Sequence, residues 1–135
     1  MFERMHIRRA VEVLWLAALL LILAASFLPE GTKIAELATA GWWNFGHIPA
    51  YALFAGLTLI VVSQRVRLNV GLLAILAVGL GLFGLTIEIL QPHFGRTASQ
   101  ADFAYNILGI LLAMVAFFFV SKGGQVWRFL AKPGK

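Results

Sequence analysis

Three features of this sequence predict an all-α fold, a small integral membrane bundle of four transmembrane helices with both termini in the cytoplasm. The first is composition: 61% of the 135 residues are hydrophobic and only 13% are charged, with a mean hydropathy of +0.88. A soluble domain of this size cannot wet its surface with so few charges. The second is clustering, because the apolar residues fall in four stretches, 11–28, 48–62, 70–90 and 103–120. At 1.5 Å rise per residue the longer stretches reach roughly 27–32 Å, which matches a hydrocarbon core of about 30 Å. Four buried helices of a soluble protein would leave no amphipathic helix to build a wet exterior. The third is the placement of basic residues. Arg4, Arg8, Arg9, Arg65, Arg67, Lys122, Arg128, Lys132 and Lys135 flank or join the helices on one side, while only Lys33 and Arg96 fall on the other. Nine against two is the asymmetry of a chain whose termini stay inside.

A single domain spans 1–135. Its first helix is expected at about 11–28. The same basic-then-apolar N-terminus, with small residues near Ala24–Ser26, also reads as a signal peptide, but the run is long enough to span and is kept as a helix. Pro29, Glu30 and Gly31 break it and open an outer loop at 29–45. In that loop Lys33–Thr39 suit a short interfacial helix, and Trp42 and Trp43 suit the headgroup level. The second helix is expected at 46–63, the short apolar run being completed by Gly46, His47 and Ser63. The inner connection 64–69 is so short that the helices it joins are expected to pack as neighbours. The third helix, 70–91, contains "GLGLFG" at 79–84. That string satisfies a dinucleotide-binding pattern, but it has no strand before it and lies mid-membrane, so its glycines are expected to admit a neighbouring helix. An outer loop at 92–101, a fourth helix at 102–120 and a basic, partly aromatic tail at 121–135 on the inner surface complete the chain.

The absence of cysteine excludes disulfide and thiolate chemistry. The net charge of +5 is explained by topology and by anionic lipid headgroups, so nucleic acid is not expected as a partner.

Against this background "EILQPHFGRTASQAD", 88–102, is unusually polar. Glu88 and Gln91 are three residues apart, on one face at the outer end of the third helix. Pro92 and Gly95 turn the chain and carry His93 and Arg96. Ser99 stands three residues before Asp102 in a capping-box pattern, and Asn106 follows Asp102 one turn deeper. On the second helix His47 and Tyr51 are likewise one turn apart. Ionised groups in a membrane cost about 2.5–3.5 kcal/mol at the helix centre and therefore face inward and pair. Glu88 and Asp102 are expected to pair with Arg96 and with protonated His47, while Gln91, Asn106 and Tyr51 satisfy the remaining donors and acceptors. Each residue also has a local explanation: Asp102 as a cap, Glu88 and Gln91 in headgroup water, Asn106 as a bond between helices. Their convergence is the reason to expect an outward-facing binding cluster of His47, Tyr51, Glu88, Gln91, Arg96, Asp102 and Asn106.

The same residues resemble the E-x-x-Q…R…D-x-x-x-N-x-x-G signature of VanZ-like membrane proteins, carried here by Glu88, Gln91, Arg96, Asp102, Asn106 and Gly109. The His-x-x-x-Tyr that opens that family's second helix matches His47 and Tyr51. Where family members often carry Asp-Lys before this histidine, the chain has "WWNFGH". The resemblance, over about residues 43–114, implies a small helical bundle in the bacterial cytoplasmic membrane, associated with tolerance to teicoplanin-type glycopeptides.

The expected function is binding or modulation of cell-envelope lipids or peptidoglycan precursors, polyprenyl-phosphate types included. Arg96 and His47 would serve as donors and the apolar helices would receive the tail. An enzyme acting on such a lipid is the alternative, with Glu88, His47 and Asp102 as acid and base. It is disfavoured because no Ser or Cys nucleophile has an evident histidine partner. A metal site from His47, Glu88, His93 and Asp102 has no ligand spacing to support it, and no cofactor is expected. A small-solute transporter would need oligomerisation to enclose a path.

Overall fold

The computed structural model describes the backbone of residues 2–28 and 43–130, and the side chains of residues 5–28 and 46–121. Its elements are α1 (Phe2–Ser26), α2 (Trp43–Ser63), α3 (Val70–Leu90), a 3-10 turn (Gln91–Phe94) and α4 (Gln100–Leu130), with no strand among the described residues. Among the described residues four segments are long and apolar enough to cross a membrane: Met5–Ser26, Gly46–Ser63, Val70–Phe94 and Gln100–Ser121. Only 17–22% of each is buried by the rest of the chain, and residues such as Leu21, Ile75 and Phe119 point outward. Exposed apolar surface on that scale is stable against lipid, not water. The chain is a multi-pass membrane protein.

The helices exceed the apolar runs where polar residues also favour helix. α1 begins at Phe2 and takes in Arg8 and Arg9, since arginine is a good helix former. α4 begins at Gln100 and continues to Leu130, well beyond the expected end at 120. No proline interrupts it before Pro133, and the Gly123–Gly124 pair does not stop the backbone. α3 ends one residue short of expectation and passes into the 3-10 turn. The breaker at 29–31, the interfacial helix at 33–39 and Trp42 lie outside the described residues.

The caps are local chemistry. Asn69 Oδ1 accepts the Leu72 N–H at 2.8 Å and opens α3, as an N-cap side chain does. Ser99 opens α4 in the predicted way: its Oγ accepts the Asp102 N–H at 3.3 Å, and its carbonyl accepts the Phe103 N–H at 3.1 Å. Between them Gly95 adopts φ 73°, a left-handed conformation that costs other residues about 1–2 kcal/mol.

In space the helices follow the order α1, α2, α4, α3, with the closest packing between α2 and α4. α2 and α3, expected to pack as neighbours, touch through side chains, while their backbones approach less closely than those of α2 and α4. Gly109 explains the choice. A Cβ at this position would stand 2.5 Å from the Ile48 carbonyl oxygen and 3.0 Å from the Ala52 nitrogen, so the α2 and α4 backbones meet where only glycine fits. Between α2 and α3 lies the Phe83 ring, whose centroid is 5.5 Å from Phe54 and 6.5 Å from Tyr51. α3 lies on α4, where Gly81 faces Ile107. α1 is held to α2 by Trp15, which stacks on Phe54 at 5.8 Å and donates its indole N–H to Thr58 Oγ1 at 2.9 Å. The middle of the bundle is filled by Phe54, Ala55, Leu59, Ile110 and Ala113.

Candidate functional site

α1 and α3 end, and α2 and α4 begin, at one end of the bundle, and here the polar residues from 47 to 106 meet. The burial rhythm of α3 carries the apolar stripe straight into them. Leu80, Gly81, Gly84, Ile87 and Glu88 are its buried residues, and Gln91 continues the same face into the 3-10 turn. Glu88 thus occupies a core position rather than a headgroup position. On α4 the residues Asp102, Asn106 and Gly109 form one stripe, with spacings of four and three residues, facing the His47–Tyr51 stripe of α2.

His47 ties α2 to α4. Its Nδ1 lies 2.9 Å from Asn106 Oδ1, which fits an Nδ1–H donor. Nε2 is 3.7 Å from Asp102 Oδ2, a pair that becomes ionic when the imidazole takes a second proton. Both side chains are partly exposed, at 16% and 18%. With Arg96 they are the partly exposed members of the group. Below them, side chains from three helices are almost completely enclosed: Gln91 and Asn106 are 1% exposed, Tyr51 3% and Glu88 5%.

Two features were not legible in the residue pattern. The N-terminus of α4 has only half of a capping box. Asp102 does not return a bond to the Ser99 N–H; Glu88 Oε2 accepts it instead at 3.2 Å. The substitution frees the Asp102 carboxylate to face His47 and binds α3 to the start of α4. Arg96 is the second feature, and here the expected pairing is corrected. Among the described residues no ion pair joins Arg96 to Glu88 or Asp102. Its Nη1 donates to the Ala25 carbonyl at 2.7 Å, across 71 residues of sequence. Ala25 lies in the last turn of α1, where carbonyls lack helical partners and attract cations. Phe27 packs on Phe94 beside this bond, ring centroids 4.6 Å apart. Arg96 thus fastens α1 to the turn between α3 and α4.

The cluster is not internally satisfied. Tyr51 Oη, Glu88 Oε1, both amide atoms of Gln91, Arg96 Nε and Asn106 Nδ2 are buried without a hydrogen-bond partner in the protein. Two of these atoms converge on Gly84, one turn below Glu88: a Cβ there would be 3.5 Å from Tyr51 Oη and 3.4 Å from Asn106 Nδ2. A buried polar atom without a partner costs about 1–3 kcal/mol, so six in one region demand a reason.

The Ser99 hydroxyl serves the group as a cap, its Oγ accepting the Asp102 N–H. Among the described residues no three His, Asp or Glu side chains converge as a metal site, and His93 is exposed on the 3-10 turn. Fold and site together define a helical membrane protein with a buried polar cluster at one end of its bundle. Comparison with protein-family models, curated proteins and solved structures finds no match.

Proposed function

We propose that this protein is a non-enzymatic binder of cell-envelope lipids or peptidoglycan precursors. It would hold a polar headgroup among α2, α3 and α4 at the outer end of the bundle. The observation that carries the reading is the set of unpartnered buried atoms on Tyr51, Glu88, Gln91, Arg96 and Asn106. Such atoms are tolerated where a bound group supplies the missing bonds. Below the site the apolar core is filled, which suits a binding site closed at its base better than a path across the membrane.

The orientation follows the basic residues. With the termini and the connection 64–69 in the cytoplasm of a bacterial inner membrane, the cluster faces outward. A reporter fused after residue 135 should then be active only as a cytoplasmic fusion. The VanZ-like resemblance rests on the residue spacing, and it supports a link to lipoglycopeptide susceptibility through what the protein holds at the outer surface.

The test is mass spectrometry of lipids that co-purify with the protein. A defined headgroup class should accompany wild type and be depleted from Glu88→Ala and Asn106→Ala variants that remain folded in the membrane. Equal lipid profiles in all three would end the proposal. The pairing of His47 with Asp102 favours a second reading, acid-base chemistry on the bound lipid. Turnover of a labelled lipid by pure protein, lost in His47→Gln, would establish it.

A further inference from the structure

The unpartnered atoms also specify what kind of group would satisfy them. Resting on the site proposed above, we infer that its ligand is a neutral, hydroxyl-bearing headgroup of the sugar or glycerol type, and not a phosphate or an ammonium.

The unpartnered set is mixed. Gln91 Nε2, Asn106 Nδ2 and Arg96 Nε are donors, Glu88 Oε1 and Gln91 Oε1 offer oxygen, and Tyr51 Oη can donate or accept. A phosphate dianion only accepts. It would leave the Gln91 oxygen unpaired and bring its charge against the carboxylates of Glu88 and Asp102. Arg96 keeps its charge, but its Nη1 is turned to the Ala25 carbonyl at 2.7 Å, so it offers the site its Nε–H and not the paired fork that holds a phosphate best. An ammonium only donates, and would leave the nitrogens of Gln91, Asn106 and Arg96 unpaired. Hydroxyls donate and accept at once, so adjacent hydroxyls on a ring or a glycerol can serve both kinds of atom. Exchanging O and N of the Asn106 amide leaves the balance mixed, because Gln91 presents both its atoms.

His47, Arg96 and Asp102 are the partly exposed members of the site, so a headgroup would pass them before reaching Gln91 and Asn106, each 1% exposed. The apolar outer faces of α3 and α4 beside the site would take the acyl chains of a lipid carrying that headgroup.

The test uses full-length protein in a detergent without sugar, because glucoside and maltoside detergents carry the very chemistry in question. Binding of monoglucosyl diacylglycerol, phosphatidic acid with the same acyl chains, and free glucose is read by native mass spectrometry, in wild type, Gln91→Leu and Arg65→Ala. The glycolipid should bind wild type and Arg65→Ala equally, and Gln91→Leu at least about tenfold more weakly, the scale of losing one or two good hydrogen bonds. Should Gln91→Leu fail to fold, Tyr51→Phe removes a single unpartnered hydroxyl and should weaken the glycolipid in the same direction. Free glucose bound with the same Gln91 dependence would support the hydroxyl chemistry and place its source in solution. Phosphatidic acid bound as tightly as the glycolipid, through Gln91, would overturn the hydroxyl inference while leaving the site standing. If no probe responds to Gln91 or Tyr51, the site proposal falls as well.

Discussion

The two ends of this bundle treat polar groups in opposite ways. At the end where α1 begins and α2 gives way to α3, charges are exposed and Arg8 and Arg65 share one carboxylate. Glu12 Oε1 receives Arg65 Nη2 at 2.7 Å and has Arg8 Nε at 3.8 Å; Asn69 caps α3, and Ser63 Oγ donates to the Ile60 carbonyl. At the other end Tyr51, Glu88, Gln91 and Asn106 are enclosed, and six of the seven unpartnered buried atoms among the described residues lie on them and on Arg96. The seventh is Gln64 Oε1, at the basic end. The first end is what a membrane protein needs to keep its orientation, with solvated charges close to partners of opposite sign. The second exceeds that need. The proposed binding role accounts for that excess.

The comparison can be broken or sharpened by substitution, and the largest effect is expected at the joint beneath the site. Gly109→Ala places a methyl against the Ile48 carbonyl and the Ala52 nitrogen, backbone atoms that cannot turn aside. α2 and α4 must separate, at a cost of about 1–3 kcal/mol or more. The midpoint of thermal unfolding in detergent should fall steeply, and binding at the site should fail with it. Glu88→Ala comes next. It leaves the Ser99 N–H without its acceptor and opens space in a buried layer, so about 1–3 kcal/mol of stability should be lost by the same measurement.

Arg96→Met should cost less, about 1 kcal/mol, because it removes one charge-assisted bond to the last turn of α1. Its signature is local: amide exchange near the end of α1 should accelerate while the cores of α2 and α4 stay protected. Gln91→Leu reverses the sign. Replacing an unpartnered buried amide by an apolar group of similar size should leave the ligand-free midpoint unchanged or raised, and a clear loss of stability would show that the amide serves the fold. Smallest of all is Arg65→Ala at the basic end. The pair is 58% and 34% exposed, so at most about 1 kcal/mol should be lost, a loss that shrinks as salt is raised.

Much of the site was legible in the sequence, and the remainder was not for a physical reason. Ser99 as the cap of α4 could be read because capping is local: hydroxyl and amide lie three residues apart and meet whenever a helix starts there. His47, Tyr51, Glu88, Gln91, Asp102 and Asn106 could be assigned to one depth because membrane spans are nearly straight rods of known rise. Arg96 was assigned to the right place and the wrong partner. Its acceptor is the carbonyl of Ala25, and a backbone carbonyl has no residue type to mark it in a sequence. The order of the helices escaped for a similar reason. A short connection brings α2 and α3 close in the chain, but the clearance of a methyl at Gly109 lets α2 pack most closely on α4.

The sequence by itself determined that this is a helical membrane protein, where its spans lie and which residues share one end of it. Hydrophobicity, helical rise and capping are one-dimensional properties, readable along the chain. Only the tertiary structure decided which of those polar groups satisfy one another and which are left unpartnered. That outcome depends on angles and ångströms between helices, which no spacing along a single strand of residues contains.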